Sequence, residues 1–325
     1  IAQLQTKEMG KPLAESVGEV ESVIHWLGLR LKQAPETLKP QILDKMDDYQ
    51  TELHLEPHGV TASVSPWNYP AYQMFVATFQ PLIAGNVVVF KHSEECPLTS
   101  EYIAKLMDEA GLPNGVFTCL YGDGKVGAQM MDADIDAIHF TGSSKVGQML
   151  YKKAADKFIP ALLEMGGSSP GIVFEDADLD LSCKSVAEER FSNCGQICCA
   201  LKRLIVHESI FDKVVENLKK EVEQYVVGDP LDEKTTIGPL VAKRQLVLLE
   251  EQVEDAKEKG ATIVTGGDRP DGVDGAYYMP TLITDTTPEM RVMTEETFGP
   301  VLTITPFSTE EEAIQMANDT TYGLS

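Results

Sequence analysis

The stretch Phe191-Ser192-Asn193-Cys194-Gly195-Gln196-Ile197-Cys198-Cys199-Ala200-Leu201-Lys202 holds the residues most capable of covalent chemistry. A thiol attacks a carbonyl only as an accessible thiolate, and the Gly195-Gln196 step leading to Cys198 permits the close backbone approach that such a site needs. Cys198 is therefore the candidate nucleophile. Three cysteines within six residues also suit a buried, inert cluster, and on this stretch alone that reading is the stronger. A zinc site on Cys194, Cys198 and Cys199 lacks a second ligand cluster, so no metal is expected. Cys194, close before Cys198 in the chain, could trap it as a disulfide under oxidation.

Other segments offer partners. Glu164 interrupts an apolar strand in Ala161-Leu162-Leu163-Glu164-Met165-Gly166-Gly167, and the two glycines let backbone or ligand come close. Burial there would suit it to general-base work, while pairing with a nearby Lys or Arg explains it as well. Asn68, in the rigid turn Pro66-Trp67-Asn68-Tyr69-Pro70, could donate its amide to a developing oxyanion, although Asn is also an ordinary turn residue. Phe140-Thr141-Gly142-Ser143-Ser144-Lys145-Val146-Gly147 joins a strand end to a helix start, where a phosphate could sit. It is neither a Walker sequence, since Gln148 and Met149 follow Gly147, nor a standard G-x-G-x-x-G, so by itself it reads as a plain βα turn. Glu296 and Phe298, in Glu295-Glu296-Thr297-Phe298-Gly299-Pro300-Val301, fit a turn beside a strand.

The elements that must position these residues are legible as an alternation. Residues 1–31 carry Val17, Val20, Ile24 and Leu27 at helical intervals, which predicts one or two amphipathic helices before Pro35 and Pro40 interrupt. Residues 49–55 alternate as a strand. Strands are then expected at 60–64, 87–90, 116–121 and 137–140, with helices at 72–83 and 100–110 between them; the 87–90 run, Val-Val-Val-Phe, has the composition of a parallel strand buried on both faces. Lys91-His92-Ser93-Glu94 follows at its carboxyl end. A second series begins after Gly167, with strands at 171–174, 261–265 and 280–284 and helices at 181–193, 210–227 and 241–259. This predicts an α/β protein with two doubly wound sheets and ligands outside the carboxyl ends of the strands.

Bulk properties narrow the partners. Lys and Arg total 27 against 51 Asp and Glu, and the net charge of -24 repels nucleic acid and anionic membranes. At 43% hydrophobic and 24% charged the composition is that of a soluble globular protein. Apolar runs such as Ile83-Ala84-Gly85-Asn86-Val87-Val88-Val89-Phe90 are too short to cross a bilayer. The cysteines form no paired C-x-x-C units, which fits a reducing cytoplasm. Ile1 already lies in a helical pattern, so the true start is expected upstream.

Taken together, Pro66-Trp67-Asn68, Lys91-His92-Ser93-Glu94, Phe140-Thr141-Gly142-Ser143, Leu163-Glu164-Met165-Gly166-Gly167, Gly195-Gln196-Ile197-Cys198 and Glu295-Glu296-Thr297-Phe298-Gly299-Pro300 resemble, in order and spacing, the motifs of the aldehyde dehydrogenase superfamily. The resemblance runs over nearly the whole chain. It implies that Cys198 attacks an aldehyde to form a thiohemiacetal held by Asn68, that a hydride leaves for a nicotinamide, and that Glu164 activates the water that hydrolyses the thioester. It implies a cofactor site that includes Trp67, with Lys91 and Glu94 at the adenosine ribose, Gly142 and Ser143 at the phosphates or the nicotinamide side, and Glu296 and Phe298 at the nicotinamide ribose and ring. NAD is the expected cofactor, because Glu94 binds a ribose 2′-OH and repels a 2′-phosphate; Lys91 keeps NADP open.

By the same resemblance residues 1–41 and 57–166 form the Rossmann-like dinucleotide-binding domain, 42–56 part of an oligomerisation hairpin, and 167–325 a catalytic domain with an incomplete C-terminus. A homodimer or homotetramer of the full-length protein is implied. Met9-Gly10-Lys11-Pro12, Lys91-His92 and Ala200-Leu201-Lys202-Arg203 are most similar to bacterial succinate-semialdehyde dehydrogenases. Such enzymes often carry Arg where this chain has Val76 and Ser192, which leaves the aldehyde open. A cofactor-independent cysteine hydrolase is a competing reading, although His25, His54, His58, His92, His139 and His207 form no recognisable Cys-His arrangement. A truncated, non-catalytic dinucleotide-binding relative is another.

Overall fold

The structure, a computed structural model, describes residues 1–325. The chain divides into two units, Ile1–Glu8 with Val17–Glu164 and Met9–Ser16 with Met165–Ser325. The expected assignment of 1–41 as a whole to the first domain therefore differs at Met9–Ser16, whose Met9 and Lys11 are buried and whose Gly10 packs on Pro239 of the second unit.

The first unit begins with helices α1 (Ala2–Met9) and α2 (Leu13–Thr37). Pro35, expected to break the pattern, lies in the last turn of α2, where the carbonyl bond it forgoes is near the helix end. Strands β1 (Gln41–Lys45) and β2 (Gln50–Leu53) pair antiparallel as a hairpin exposed along its length. Then follow β3 (Val60–Ser65), α3 (Pro70–Ile83), β4 (Val87–His92), α4 (Pro97–Glu109), β5 (Phe117–Leu120), α5 (Gly124–Asp132), β6 (Ala137–Thr141), α6 (Ser144–Lys157) and β7 (Ala161–Glu164). The five strands from β3 to β7 form a parallel sheet in the order β5-β4-β3-β6-β7. Pro70 and Pro97 open α3 and α4, where their missing N–H groups have no helical partner to lose, and Asp123 and Ser143 cap α5 and α6. Val88 and Phe90 of β4 are fully buried against α3 and α4.

The second unit contains β8 (Ser169–Val173), α7 (Leu179–Phe191), β9 (Leu201–His207), α8 (Phe211–Val222), α9 (Lys243–Glu258), β10 (Thr262–Thr265), β11 (Thr281–Thr284), α10 (Arg291–Thr294), β12 (Val301–Phe307) and α11 (Glu310–Asn318). Its sheet has the order β10-β11-β12-β9-β8, parallel except for the β10–β11 pair. Phe191, Leu204, Val206, Leu218, Leu282 and Ile304 lie in its core.

The two sheets present their candidate residues at opposite ends. In the first unit Asn68, Lys91, Gly142 and Glu164 stand at or just beyond the carboxyl ends of β3, β4, β6 and β7, as a doubly wound sheet leads one to expect. In the second, Gly167, Cys198 and Phe298 precede the amino ends of β8, β9 and β12, which are adjacent in the order β12-β9-β8. The carboxyl-end expectation is corrected there.

Candidate active site

The turn that delivers Cys198 is braced rather than flexible. After α7 a single 3-10 turn, Ser192–Gly195, puts Asn193 at φ 49°, Cys194 at φ 56° and Gly195 at φ 69°, three successive left-handed residues of which two carry side chains. Such backbone costs about 1–2 kcal/mol per non-glycine residue, so it needs fixed partners. Glu15 Oε2 accepts from the Asn193 N–H at 2.7 Å, Gln196 Nε2 donates to the Asn193 carbonyl at 3.2 Å, and the Val241 N–H donates to Gln196 Oε1 at 3.0 Å. A Cβ on Gly195 would overlap the Gly299 carbonyl, so the nucleophile turn and the loop before β12 meet backbone to backbone.

Arg190, in the last turn of α7 and completely buried, fixes that meeting. Its Nε donates to the Val301 carbonyl at 2.6 Å, and its Nη2 donates to the carbonyls of Thr297, at 3.0 Å, and Gly299. Lys202, at the start of β9, works from the other side. Its Nζ donates to the carbonyls of Ile197, at 3.2 Å, and of Cys198 itself, at 2.6 Å, and lies 3.7 Å from Glu296 Oε1. Desolvation lowers the Lys202 ammonium to about 8, with Arg190 adding repulsion. Desolvation raises Glu296 above the usual carboxylate range, opposed by Lys202 and by the Gly167 N–H, which donates to Glu296 Oε1 at 3.1 Å.

The glycine pair expected to admit a close approach does so for this cluster. A Cβ on Gly166 would strike the Glu296 carboxylate, and one on Gly167 would lie 2.6 Å from the Cys198 carbonyl. Phe298 is half-buried in the same loop.

The thiols sort by environment. Cys194 is buried in the core and pushed up by desolvation, which removes it as the neighbour expected to trap Cys198. The sulfur beside Cys198 belongs to Cys199, which is exposed. Cys198 donates to Cys199, which raises Cys198 and lowers Cys199 to about 6; the proton they share makes the first ionisation a property of the pair. Cys199→Ala removes that raising contact and is accordingly expected to move the pH midpoint of iodoacetamide alkylation at Cys198 down toward the ordinary thiol value of 9.0, with desolvation alone still holding it up. Site-resolved mass spectrometry across pH 7–11 reads this, and an unmoved midpoint rules out the raising effect of Cys199.

In the first unit, Trp67 and Asn68 are buried in the turn between β3 and α3. Lys91 is buried, with its Nζ 3.5 Å from Glu94 Oε2, while Glu94 is half-exposed, so a cation and a carboxylate lie together at the end of β4. Ser143 Oγ accepts from the Val146 N–H at 3.4 Å as the cap of α6, and the Gly142 N–H donates to the Glu164 carbonyl at 3.0 Å. The expected burial of Glu164 is corrected: as the last residue of edge strand β7 its side chain is exposed. Val76 is half-buried on α3, and Ser192 Oγ donates to the Glu188 carbonyl at 2.7 Å, so neither position supplies a cation. Arg190, Lys202 and Glu15 drew no role from sequence. Their signal was a charge inside an apolar helix or strand pattern, and only tertiary contacts give it meaning.

A parallel α/β sheet with Lys91, Glu94 and the capped start of α6 at its carboxyl edge, in one chain with a second sheet before which a turn braces a thiol, has the attributes of a nicotinamide-dependent oxidoreductase acting on a carbonyl carbon. The chain belongs to the aldehyde dehydrogenase family, which it matches over residues 1–325. It is 39% identical over 325 residues to an NADP(+) succinate-semialdehyde dehydrogenase of Deinococcus radiodurans, covering 100% of this chain and 68% of that one. It is 40% identical over 331 residues to the peroxisomal aminoaldehyde dehydrogenase 1 of Pisum sativum, covering 100% and 66%. Among solved structures, an NAD-dependent aldehyde dehydrogenase from Sinorhizobium meliloti superimposes with a TM-score of 0.95 at 36% identity, over 99% of this chain and 65% of that one. A betaine aldehyde dehydrogenase from Staphylococcus aureus in complex with NAD+ superimposes with a TM-score of 0.93 at 35% identity, over 99% and 65%. The chain thus spans about two thirds of the length of the relatives it matches. No helix is long and apolar enough to cross a membrane.

Proposed function

We propose that this protein oxidises an aldehyde to the carboxylate with NAD or NADP, using Cys198 as nucleophile. The observation that carries the reading is the braced turn: strained backbone held by Glu15, Gln196 and Gly299 presents a partly buried thiol beside Cys199. Cys198 Sγ adds to the aldehyde carbon, and the C=O π pair moves to oxygen, where the Asn68 amide donates to it. When bound, the dinucleotide supplies the two-electron acceptor for the hydride lost from that carbon. The donor set fits such a group. Lys91 with Glu94 suits a ribose diol, Gly142 and the capped start of α6 suit phosphate oxygens, and Glu296 with Phe298 suits a second ribose and an aromatic ring. Trp67 completes the turn that carries Asn68. Glu164, exposed at the end of β7, takes a proton from water as the water oxygen bonds to the thioester carbon; the C–S bond then breaks and the thiol is restored.

Glu94 favours NAD over NADP. The resemblance to succinate-semialdehyde dehydrogenases makes succinate semialdehyde the first substrate to test, with Val76 and Ser192 arguing for neutral aldehydes beside it. The exposed β1–β2 hairpin supports assembly into a homodimer or homotetramer, and the free cysteines support a cytoplasmic setting. Calorimetric titration of NAD and NADP alongside reduced-cofactor absorbance with succinate semialdehyde and medium-chain aldehydes tests the reading. Binding with turnover is expected. Ester hydrolysis without dinucleotide binding would replace it with the hydrolase reading.

A further inference from the structure

Resting on that reading, we infer that Lys202 is a positioning residue that couples the nucleophile to the ribose-binding carboxylate: one ammonium pins the carbonyl of Cys198 and keeps Glu296 ionised for the cofactor. The cluster is compact. Lys202 is 1% exposed at its side chain, its Nζ donates to the Cys198 carbonyl at 2.6 Å and to that of Ile197 at 3.2 Å, and Glu296 Oε1 lies 3.7 Å away. Gly167 closes the ring, since its N–H donates to the same Glu296 oxygen and a Cβ added to it would lie 2.6 Å from the Cys198 carbonyl. The titratable groups facing Lys202 are Glu296 from the loop before β12, Arg190 from α7, and the thiols of Cys198 and Cys199.

Every partner in this ring has a stake in the charge. Glu296 is desolvated, and without Lys202 the remaining Gly167 N–H and the more distant Arg190 oppose protonation less well. A protonated Glu296 loses half its capacity to accept from two ribose hydroxyls. The two thiols lose the cation that favours their ionisation. Arg190 does not substitute, because its bonds to the carbonyls of Val301, Thr297 and Gly299 hold it in place farther from Glu296 than Lys202 is.

The sign of the pH effect follows. An acid whose midpoint is raised is charged only above that midpoint, so loss of Lys202 weakens the cofactor as pH falls. In the intact protein Lys202→Met is expected to raise the Kd for NAD, by calorimetry, roughly tenfold at pH 6 and less than about threefold at pH 8.5, where the wild type changes little. The midpoint for alkylation of Cys198 should rise as well. Lys202→Gln keeps a donor for the Cys198 carbonyl without the charge, so it should share the pH-dependent Kd while preserving more of the fold. Adding Glu296→Gln to either variant should flatten the profile. A merely structural lysine would weaken binding evenly across pH, and a flat profile, or a Kd equal to wild type in both variants, overturns the inference. If the wild-type protein binds neither NAD nor NADP, the catalytic reading fails and this inference with it; if it binds and Cys198→Ala abolishes turnover while Lys202 variants behave as wild type, only this inference fails.

Discussion

Cys198→Ala is expected to cut aldehyde oxidation by about 10⁴-fold or more while leaving the NAD Kd within about twofold of wild type. The size follows from what the sulfur does. It forms the bond that makes hydride loss possible, and no neighbour can take over: Cys199 follows on an exposed turn and Cys194 is sealed in the core. The fold should not respond. Cys198 is only partly buried, and what holds it is its own carbonyl, bonded to Lys202, which alanine keeps. Steady-state rates, calorimetry and a melting curve on one preparation separate the outcomes. A residual rate within tenfold of wild type would show that the chemistry lies elsewhere, whereas a lost melting transition would show that the thiol has a structural role.

That prediction rests on residues that the sequence displayed openly, and the contrast with those it hid is physical. A buried parallel strand advertises itself when every side chain faces apolar neighbours, as in the Val-Val-Val-Phe run of β4. Strands β9 and β12 escaped because buried polar residues break their pattern, Lys202 and Arg203 in one and Thr303 in the other, where the exposed Pro306 interrupts the run as well. The charged groups are satisfied by backbone outside their own strand. Arg203 bonds the carbonyls of Ser168, Met316 and Ala317, and Lys202 bonds the nucleophile turn. Glu164 misled in the opposite direction, since an apolar flank suggested burial while its place at the end of an edge strand leaves it exposed. The glycine pair at 166 and 167 marked a close approach, but spacing could not say that a carboxylate 129 residues away, on Glu296, fills it. Nor could helical periodicity say that Glu15 reaches the backbone of Asn193, 178 residues later.

Gly195→Ala should therefore be the most damaging small change near the nucleophile, destabilising by about 2–4 kcal/mol and lowering turnover at least tenfold. Two costs act together. At φ 69° any Cβ is strained by about 1–2 kcal/mol, and here the added methyl would also overlap the Gly299 carbonyl and crowd Pro300. Gly272 supplies the control, with φ 70° and nothing within 4 Å of its added Cβ, so Gly272→Ala carries the conformational cost alone. The difference between the two variants in denaturant melts measures the backbone contact between the nucleophile turn and the loop that carries Glu296 and Phe298. Because Arg190 holds that loop by three carbonyls, it cannot retreat without breaking buried hydrogen bonds, and the turn must move instead. Displacement of Cys198 then explains why the rate should fall in Gly195→Ala and stay near wild type in Gly272→Ala. Equal stability losses in the two variants would mean that the turn and the loop are not pressed together.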